Sequence, residues 1–390
     1  MFSKLFDSFL VHYLERFNDH CFTVKIGDNE YTIGDGESEF TVIVNRDIPK
    51  KDLLISAELA LGEAYMRKDI EIEGDLFKAL CVVLGHVGKD SINRKVLSSL
   101  FNAGLKKKDQ KQQVSSHYDL GNEFYKLWLD ETMSYSCAYF KHENDSLKDA
   151  QYQKVHHILD KLYLKEGMTL LDIGCGWGFL LIEAARKYGV KGYGCTLSEE
   201  QWKKGQERIK EYGLEGQVEI ELIDYRDVAA SGRTFDRIVS IGMLEHVGRP
   251  NFPLYMGDAS DMLKDGGLFL FHYISDPSEK ETSAWIRKYI FPGGCLPSLR
   301  EMVSLAYDYD MNVIDVESLR YHYYKTLMHW YNNFQGVREQ VEAKRGSEFV
   351  RMWDLYLCGC AAGFYIGNMD LHQILMTKGV TNELPLTRWY

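Results

Sequence analysis

The sequence predicts an α/β protein, a doubly wound sheet with helices on both faces, preceded by a small α+β domain. Three observations predict it. From about residue 150 near-continuous apolar runs alternate with helical patterns, the first of those runs closes on a glycine-rich turn, and before residue 90 short alternating runs are broken by Gly-Asp-Asn and Gly-Asp-Gly. Domains usually hold roughly 100 to 200 residues, so 390 residues divide in two. The boundaries read as 1–90 for the small domain, 91–113 for a connector rich in Lys, Asp and Gln, and 114–390 for the second domain.

Taken in order, MFSKLFDSFLVHYLERF places Leu5, Phe6, Phe9, Leu10, Tyr13 and Leu14 at helical spacing, with charges between them. That is an amphipathic helix, since a signal peptide needs an uncharged apolar centre. Packing on the neighbouring sheet and insertion at a membrane interface are both open to it. FTVKI, EYTIG and EFTVIV alternate as strands of an antiparallel sheet. A helix over Asp52–Met66, the strand IEIEG and a helix over Asp75–Leu84 complete the small domain. In the connector, Lys106, Lys107, Lys108 and Lys111 read either as a solvated linker or as a patch for anionic headgroups.

The second domain runs TLLDIG, a helix Phe179–Lys187, KGYGCTLS, a helix Glu199–Glu211, VEIELID, FDRIVSIG, a helix near Asp258–Leu263, and GLFLFHYI. Apolar strands separated by helices imply a parallel sheet, whose ligands sit beyond the strand carboxyl ends.

Composition excludes several classes. A net charge of −11 argues against nucleic acid as a partner. The longest apolar stretches, Leu76–Val87 and Leu268–Ile274, are far shorter than the roughly 18 residues a spanning helix needs. Eight cysteines spread through a large chain read as free thiols in a reducing compartment, hence the cytoplasm. Neither Cys358-Gly-Cys360 nor His156-His157 has metal-ligand spacing.

LLDIGCGWG places Gly174, Gly176 and Gly178 between a strand and a helix, where the backbone can turn sharply and a ligand can approach. A nicotinamide site would need G-x-G-x-x-G and an acid at the end of the next strand. Here the spacing is G-x-G-x-G, Asp172 precedes it, and Thr196, Leu197 and Ser198 end the second strand.

With SSHYDLGNEFYKLWLDETMSYSCAYF (Ser115–Phe140), GCTLSEEQ (Gly194–Gln201), SIGMLEHVG (Ser240–Gly248), YIFPGG (Tyr289–Gly294) and YHYYKTLMHW (Tyr321–Trp330), the chain resembles the cyclopropane-fatty-acyl-phospholipid synthases and their relatives that act on mycolic acids. The resemblance covers about residues 110–375. It implies a class I methyltransferase (Rossmann-like) catalytic domain, with S-adenosylmethionine and bicarbonate as cofactors. It implies transfer of a methylene to the cis double bond of an unsaturated phospholipid acyl chain, peripheral contact with the inner face of the membrane, and allows a homodimer. By the same resemblance Tyr135 and Ser136 hold the methionine end, Gly174 and Gly176 the homocysteine and ribose, Thr196, Leu197 and Gln201 the ribose and adenine, and Asp224 with Tyr225 the adenine edge. Gln201 suits that role physically, since an amide both donates to and accepts from sugar hydroxyls.

The implied reaction sets its own demands. An alkene is a poor nucleophile, methyl addition leaves a carbocation, and proton loss from that methyl closes the ring. The site needs a base and a cation-tolerant wall, and no nucleophilic side chain. The resemblance gives bicarbonate as the base, held by Glu245, His272 and Tyr323, with Cys137 through its backbone and Cys360 nearby. Glu245 follows one strand and His272 lies in another, near where such sheets place ligands; His246 reads as structural. An anion beside Glu245 requires either that Glu245 be neutral or that His272 be protonated. Aromatic faces stabilise a desolvated cation, and of Trp177, Tyr289, Phe291, Tyr321, Tyr323 and Tyr324 the reading selects Tyr323. YIFPGG reads as the mouth of the acyl channel. Acyl methylation without ring closure and non-catalytic lipid binding are the alternatives.

Overall fold

In a computed structural model of the chain, residues 11–87 other than Tyr13 and 120–390 other than Trp389 are described. Most of the N-terminal amphipathic helix, the connector with its four lysines and the start of the SSHYDLGN motif lie outside them. The chain divides into two compact units. One gathers Met1–Leu100, Thr282–Pro292 and Leu327–Asn368; the other gathers Phe101–Glu281, Gly293–Thr326 and Met369–Tyr390. Residues 282–292 and 327–368, which the sequence reading places in the second domain, therefore belong with the N-terminal residues, and the YIFPGG motif is split between the units.

In the first unit β1 (Phe22–Ile26), β2 (Asn29–Ile33), β3 (Phe40–Val44) and β4 (Ile70–Gly74) form a sheet in the order β2-β1-β3-β4. β1 and β2 make the expected antiparallel hairpin. β1 and β3 pair in parallel, so the sheet is mixed where an antiparallel one was expected. The reason is local: residues 34–39 carry the chain past the start of β1 to its other edge, where Glu39 N–H donates to Cys21 O at 2.9 Å. Val24, Ile26, Phe40 and Val44 point into the core, with the rings of Phe22 and Phe40 stacked at 4.9 Å. From the helix Ser347–Tyr365, buried Arg351 donates to Tyr65 O at 2.6 Å and Ile70 O at 3.0 Å.

In the second unit β5 (Thr169–Ile173), β6 (Lys191–Thr196), β7 (Val218–Leu222), β8 (Phe235–Ile241), β9 (Leu263–Ser275), β10 (Met311–Ser318) and β11 (Asp370–Lys378) run in the order β10-β11-β9-β8-β5-β6-β7. β5 to β9 are mutually parallel along that order, but β11 runs antiparallel to both β9 and β10. The expectation of an all-parallel sheet is thus corrected at one edge, where β11 returns from the far end of the chain to lie between β9 and β10.

Period-two alternation sends successive side chains to opposite faces. Leu170, Val239, Leu268, Leu270 and Leu375 pack on one face with the helices Leu147–Lys161 and Phe179–Tyr188. Leu171, Ile238, Phe269, Phe271 and Ile374 pack on the other with the helices Phe252–Met262 and Leu299–Asp308. Each face buries a row of aliphatic and aromatic side chains, which is what holds the doubly wound layers together. The chain leaves β5 for β6 and β7 on one side and crosses back from β7 to β8 on the other, and this reversal of strand order at β5 opens the crevice in which such sheets bind ligands. No helix among the described residues is long and apolar enough to cross a membrane, and all eight cysteines are free.

Candidate active site

β5 ends on Ile173 and the chain turns through Gly174, Gly176 and Gly178, at φ +81°, +55° and +79°. A side chain is strained at such angles. At Gly178 a Cβ would also lie 2.5 Å from Ile220 Cδ1, whereas at Gly176 it would meet nothing within 4 Å, which leaves that stretch of backbone open to a ligand. The turn forms one wall of a cleft lined also by Tyr135, Ser136, Thr196, Leu197, Gln201 and Tyr225. Thr196 Oγ1 donates to Gln201 Oε1 at 3.0 Å, and Ser198 Oγ caps the helix Glu199–Glu211 by accepting from Gln201 N–H. Of the nine residues expected to hold the cofactor, Asp224 alone does not line the cleft. Its carboxylate caps the helix Tyr225–Ala230 and takes Arg226 Nε and a terminal guanidinium nitrogen at 2.8 and 2.7 Å, so it is already occupied.

The cleft brings in residues that the sequence reading did not select. Lys154, on the helix Leu147–Lys161, is buried and donates to Ser136 Oγ at 3.0 Å. Asp172, on β5, is buried, and its Oδ1 has no partner among the described residues. Burial pushes the Asp172 carboxyl up to about 7 against the opposing pull of Lys154, and burial draws Lys154 down to about 8. His246 lines the same cleft, and burial depresses it to about 4, which keeps it neutral.

Glu245, His272, Tyr323 and Cys137 do not line this cleft, but Glu245, His272 and Cys137 are immediate neighbours of residues that do. Cys137 follows Ser136, Glu245 precedes His246, and Gly242 N–H donates to His272 O at 2.9 Å. A series of contacts links Glu245, Tyr323 and Cys137 through β9, the strand that carries His272. Ile274 N–H donates to Glu245 Oε1 at 2.7 Å; Ile274 stands opposite Leu371 in the β9–β11 ladder; Leu371 O accepts from Leu319 N–H at 2.8 Å. Leu319 O in turn accepts from Tyr323 N–H at 3.0 Å and lies 3.9 Å from Cys137 Sγ. Thr326 Oγ1, accepting from Ala138 N–H at 3.0 Å, fastens the backbone beside Cys137 to the helix Arg320–Arg345, which also carries Tyr323. Cys360 stands in the first unit, on the helix Ser347–Tyr365, with its thiol pushed up to about 12 by burial.

Two of these groups are buried and incomplete. Glu245 is 8% exposed and His272 is 2% exposed, yet Glu245 Oε2 and His272 Nε2 have no hydrogen-bond partner among the described residues. Leaving such atoms unpaired costs about 1–3 kcal/mol each, which a ligand that pairs them recovers. Burial pushes the Glu245 carboxyl up to about 7, opposed by the Ile274 N–H bond. Burial, helped by the Lys154 and Lys161 cations, drives His272 far below its ordinary range. Burial also pushes the Cys137 thiol well up, so it stays protonated.

Of the aromatic candidates, Tyr323 is buried, whereas Tyr321 faces solvent with 54% of its surface exposed. Tyr289 and Phe291 belong to the first unit, where Tyr289 Oη donates to Glu63. Trp177 lines the cofactor cleft and donates to Asn122 Oδ1 at 2.8 Å.

The arrangement has known counterparts. The mycolic acid cyclopropane synthetase family matches over residues 105–374, and a domain of unknown function (DUF7884) matches over 9–89. The chain is 40% identical over 346 residues to the cyclopropane-fatty-acyl-phospholipid synthase of Escherichia coli (strain K12), covering 87% of this chain and 88% of that one. It is 37% identical over 380 residues to a probable fatty acid methyltransferase of Pseudomonas putida, covering 94% of each. The crystal structure of the mycolic acid cyclopropane synthase CmaA1 complexed with SAH and CTAB has a TM-score of 0.65 at 35% identity, over 69% of this chain and 98% of that one. With the class I methyltransferase fold, the glycine turn and this length of agreement, the chain belongs to the mycolic acid cyclopropane synthetase family, an enzyme of the S-adenosylmethionine-dependent methyltransferase class.

Proposed function

We propose that this enzyme transfers a methylene to the cis double bond of an unsaturated phospholipid acyl chain and closes a cyclopropane ring, with bicarbonate as the base. When bound, S-adenosylmethionine supplies the sulfonium-borne methyl and bicarbonate accepts a proton; methyl transfer leaves a carbocation on the acyl chain, and proton loss from that methyl closes the ring.

The observation that carries the reading is the pair of buried, unpartnered atoms, Glu245 Oε2 and His272 Nε2. A small oxyanion that accepts from both completes both. Of the two conditions under which an anion can sit beside Glu245, burial removes a protonated His272 and supports a neutral Glu245, since that carboxyl titrates at about 7. Glu245 then meets the anion as an acid and shares its proton, and the two titrate as one coupled system. Tyr323 forms the aromatic wall for the cation. Cys137, kept a thiol, leaves the site without a nucleophile. Tyr135, Ser136, Gly174, Gly176, Thr196, Leu197, Gln201 and Tyr225 hold the nucleoside and methionine parts of the cofactor, with Asp224 acting only through its backbone. We place the reaction at the inner face of the membrane, reached by peripheral contact.

The Pseudomonas relative, matched along 94% of the chain, favours a second reading in which the acyl chain is methylated without ring closure. One experiment tests both. Labelled S-adenosylmethionine is incubated with vesicles of cis-unsaturated phospholipid, with saturated vesicles as control, and the product is resolved by nuclear magnetic resonance. Cyclopropane proton signals are expected from the unsaturated vesicles alone; a branched methyl signal supports the second reading, and equal label in saturated vesicles ends the first.

A further inference from the structure

The helix Leu147–Lys161 turns an unusual set of side chains onto the sheet. Gln151, Lys154, His157 and Lys161 recur at helical spacing, and all four are buried. They cover the face on which β5 and β9 present Asp172 and His272, for these residues alternate in phase with Leu170, Leu268 and Leu270. The last member, Lys161, is 1% exposed. Its Nζ donates to Glu317 Oε2 at 2.5 Å and to Gln373 Oε1 at 2.8 Å. Gln373 stands opposite His272 in the β9–β11 ladder, with Nε2 3.2 Å from His272 Nδ1.

These contacts decide a question of protons. An ammonium only donates, so the oxygen of Gln373 must be the atom facing Lys161, which fixes the orientation of the amide by chemistry. The other end of that amide is then an NH₂ group, which also only donates. His272 Nδ1 must therefore accept, and a neutral imidazole whose Nδ1 accepts carries its proton on Nε2. Nε2 is the buried atom that has no partner among the described residues. Glu317 anchors the series: it accepts from Lys161 and lies 2.7 Å from His157 Nε2, and the His157 hydrogen bond together with the Lys161 ammonium overcomes its burial and holds its carboxyl at about 2, an anion that keeps Lys161 a donor.

We propose that Lys161 and Gln373 are positioning residues that fix His272 in its Nε2–H form, so that His272 meets the bound oxyanion as a hydrogen-bond donor and is not the base. The role given to the anion rests on the bicarbonate reading above; the tautomer does not. Without the lysine, the amide is free to turn its NH₂ toward Glu317 and its oxygen toward Nδ1, which moves the proton off Nε2 and presents a lone pair to an anion.

The test uses the full-length enzyme labelled with ¹⁵N-histidine, the His272 resonances being assigned by their loss in His272→Gln. In the unsubstituted enzyme Nδ1 is expected at the position of an unprotonated nitrogen and Nε2 at that of a protonated one. Finding Nδ1 protonated overturns the proposal, whatever any variant does. In Lys161→Met an Nδ1–H population is expected. Its kcat should fall about 10- to 100-fold, the scale on which loss of an orienting partner acts at ligated histidines, with the KM for S-adenosylmethionine unchanged and more bicarbonate needed for half-maximal rate. Lys161→Arg, which also only donates, should restore both tautomer and rate. If Lys161→Met keeps the Nε2–H form and loses rate, the positioning role is overturned. An Nε2–H signal in an enzyme whose turnover ignores added bicarbonate supports the tautomer and overturns the reading of the anion.

Discussion

Replacing Glu245 by Gln keeps the shape of a neutral carboxyl and removes its titration, so the change isolates what the buried acid does. In the fold the carboxyl titrates at about 7 in place of its ordinary 4.5. The sign follows from proton binding. Between those two values the folded chain holds a proton that the unfolded chain has lost, so the contribution is fully present below about 4.5 and is lost as pH rises through about 7. The difference corresponds to about 3 kcal/mol. Asp172 titrates in the same range and would give a similar slope, but it is present in both proteins and cancels in their difference. The assay is amide hydrogen exchange along β9, including the Ile274 N–H that Glu245 holds, corrected for the intrinsic pH dependence of exchange. Between about pH 5 and pH 8 the original enzyme should lose about 2 to 3 kcal/mol of opening free energy relative to Glu245→Gln. Parallel profiles for the two proteins would refute the claim that this acid is held neutral by burial.

Three further outcomes follow from the geometry. Gly178→Ala combines a left-handed backbone with a Cβ 2.5 Å from Ile220; it should cost about 2 kcal/mol and weaken S-adenosylhomocysteine binding in calorimetry, and unchanged affinity would count against the cleft as the nucleoside site. Thr326→Val removes the acceptor of Ala138 N–H, fully buried, and should cost about 1–3 kcal/mol; turnover should fall while S-adenosylhomocysteine affinity holds, and equal loss of both would point to general unfolding. Arg351→Met strips the donor from Tyr65 O and Ile70 O in the first unit; about 3 kcal/mol should be lost, read as a lower calorimetric transition, and an unchanged transition would mean that those carbonyls find water.

Much of the second unit was legible because its strands are apolar runs and its turn chemistry is local. The glycines after β5, the Ser198 cap and the helix Glu199–Glu211 each follow from a few adjacent residues. β10 and β11 were not read. β11 carries His372, Gln373 and Thr377 among its apolar residues and pairs with β9 from the far end of the sequence, where no hairpin signal reports on it. The parallel pairing of β1 with β3 was hidden for the same reason, since turn residues announce which strands are linked, not which edge the next one takes. The site divides in the same way. Glu245 and His272 follow from strand ends joined to resemblance, whereas Lys154 and Lys161 sit in a polar stripe that sequence logic assigns to solvent. That stripe was detectable in principle, because the apolar residues Val155, Ile158, Leu159 and Leu162 surround it, and all of them are buried. A helix apolar on one side and carrying polar residues inside the same arc implies a partnered network. Lys161 has that network in Glu317 and Gln373.

The most direct measurement is the rate of label transfer into cis-unsaturated phospholipid vesicles by enzyme stripped of dissolved carbonate and then resupplied with it. Turnover should collapse on removal and return on addition, with the affinity for S-adenosylhomocysteine unchanged between the two states. A rate indifferent to carbonate would contradict the account, for the two unpaired atoms at Glu245 and His272 would then have to serve some other guest.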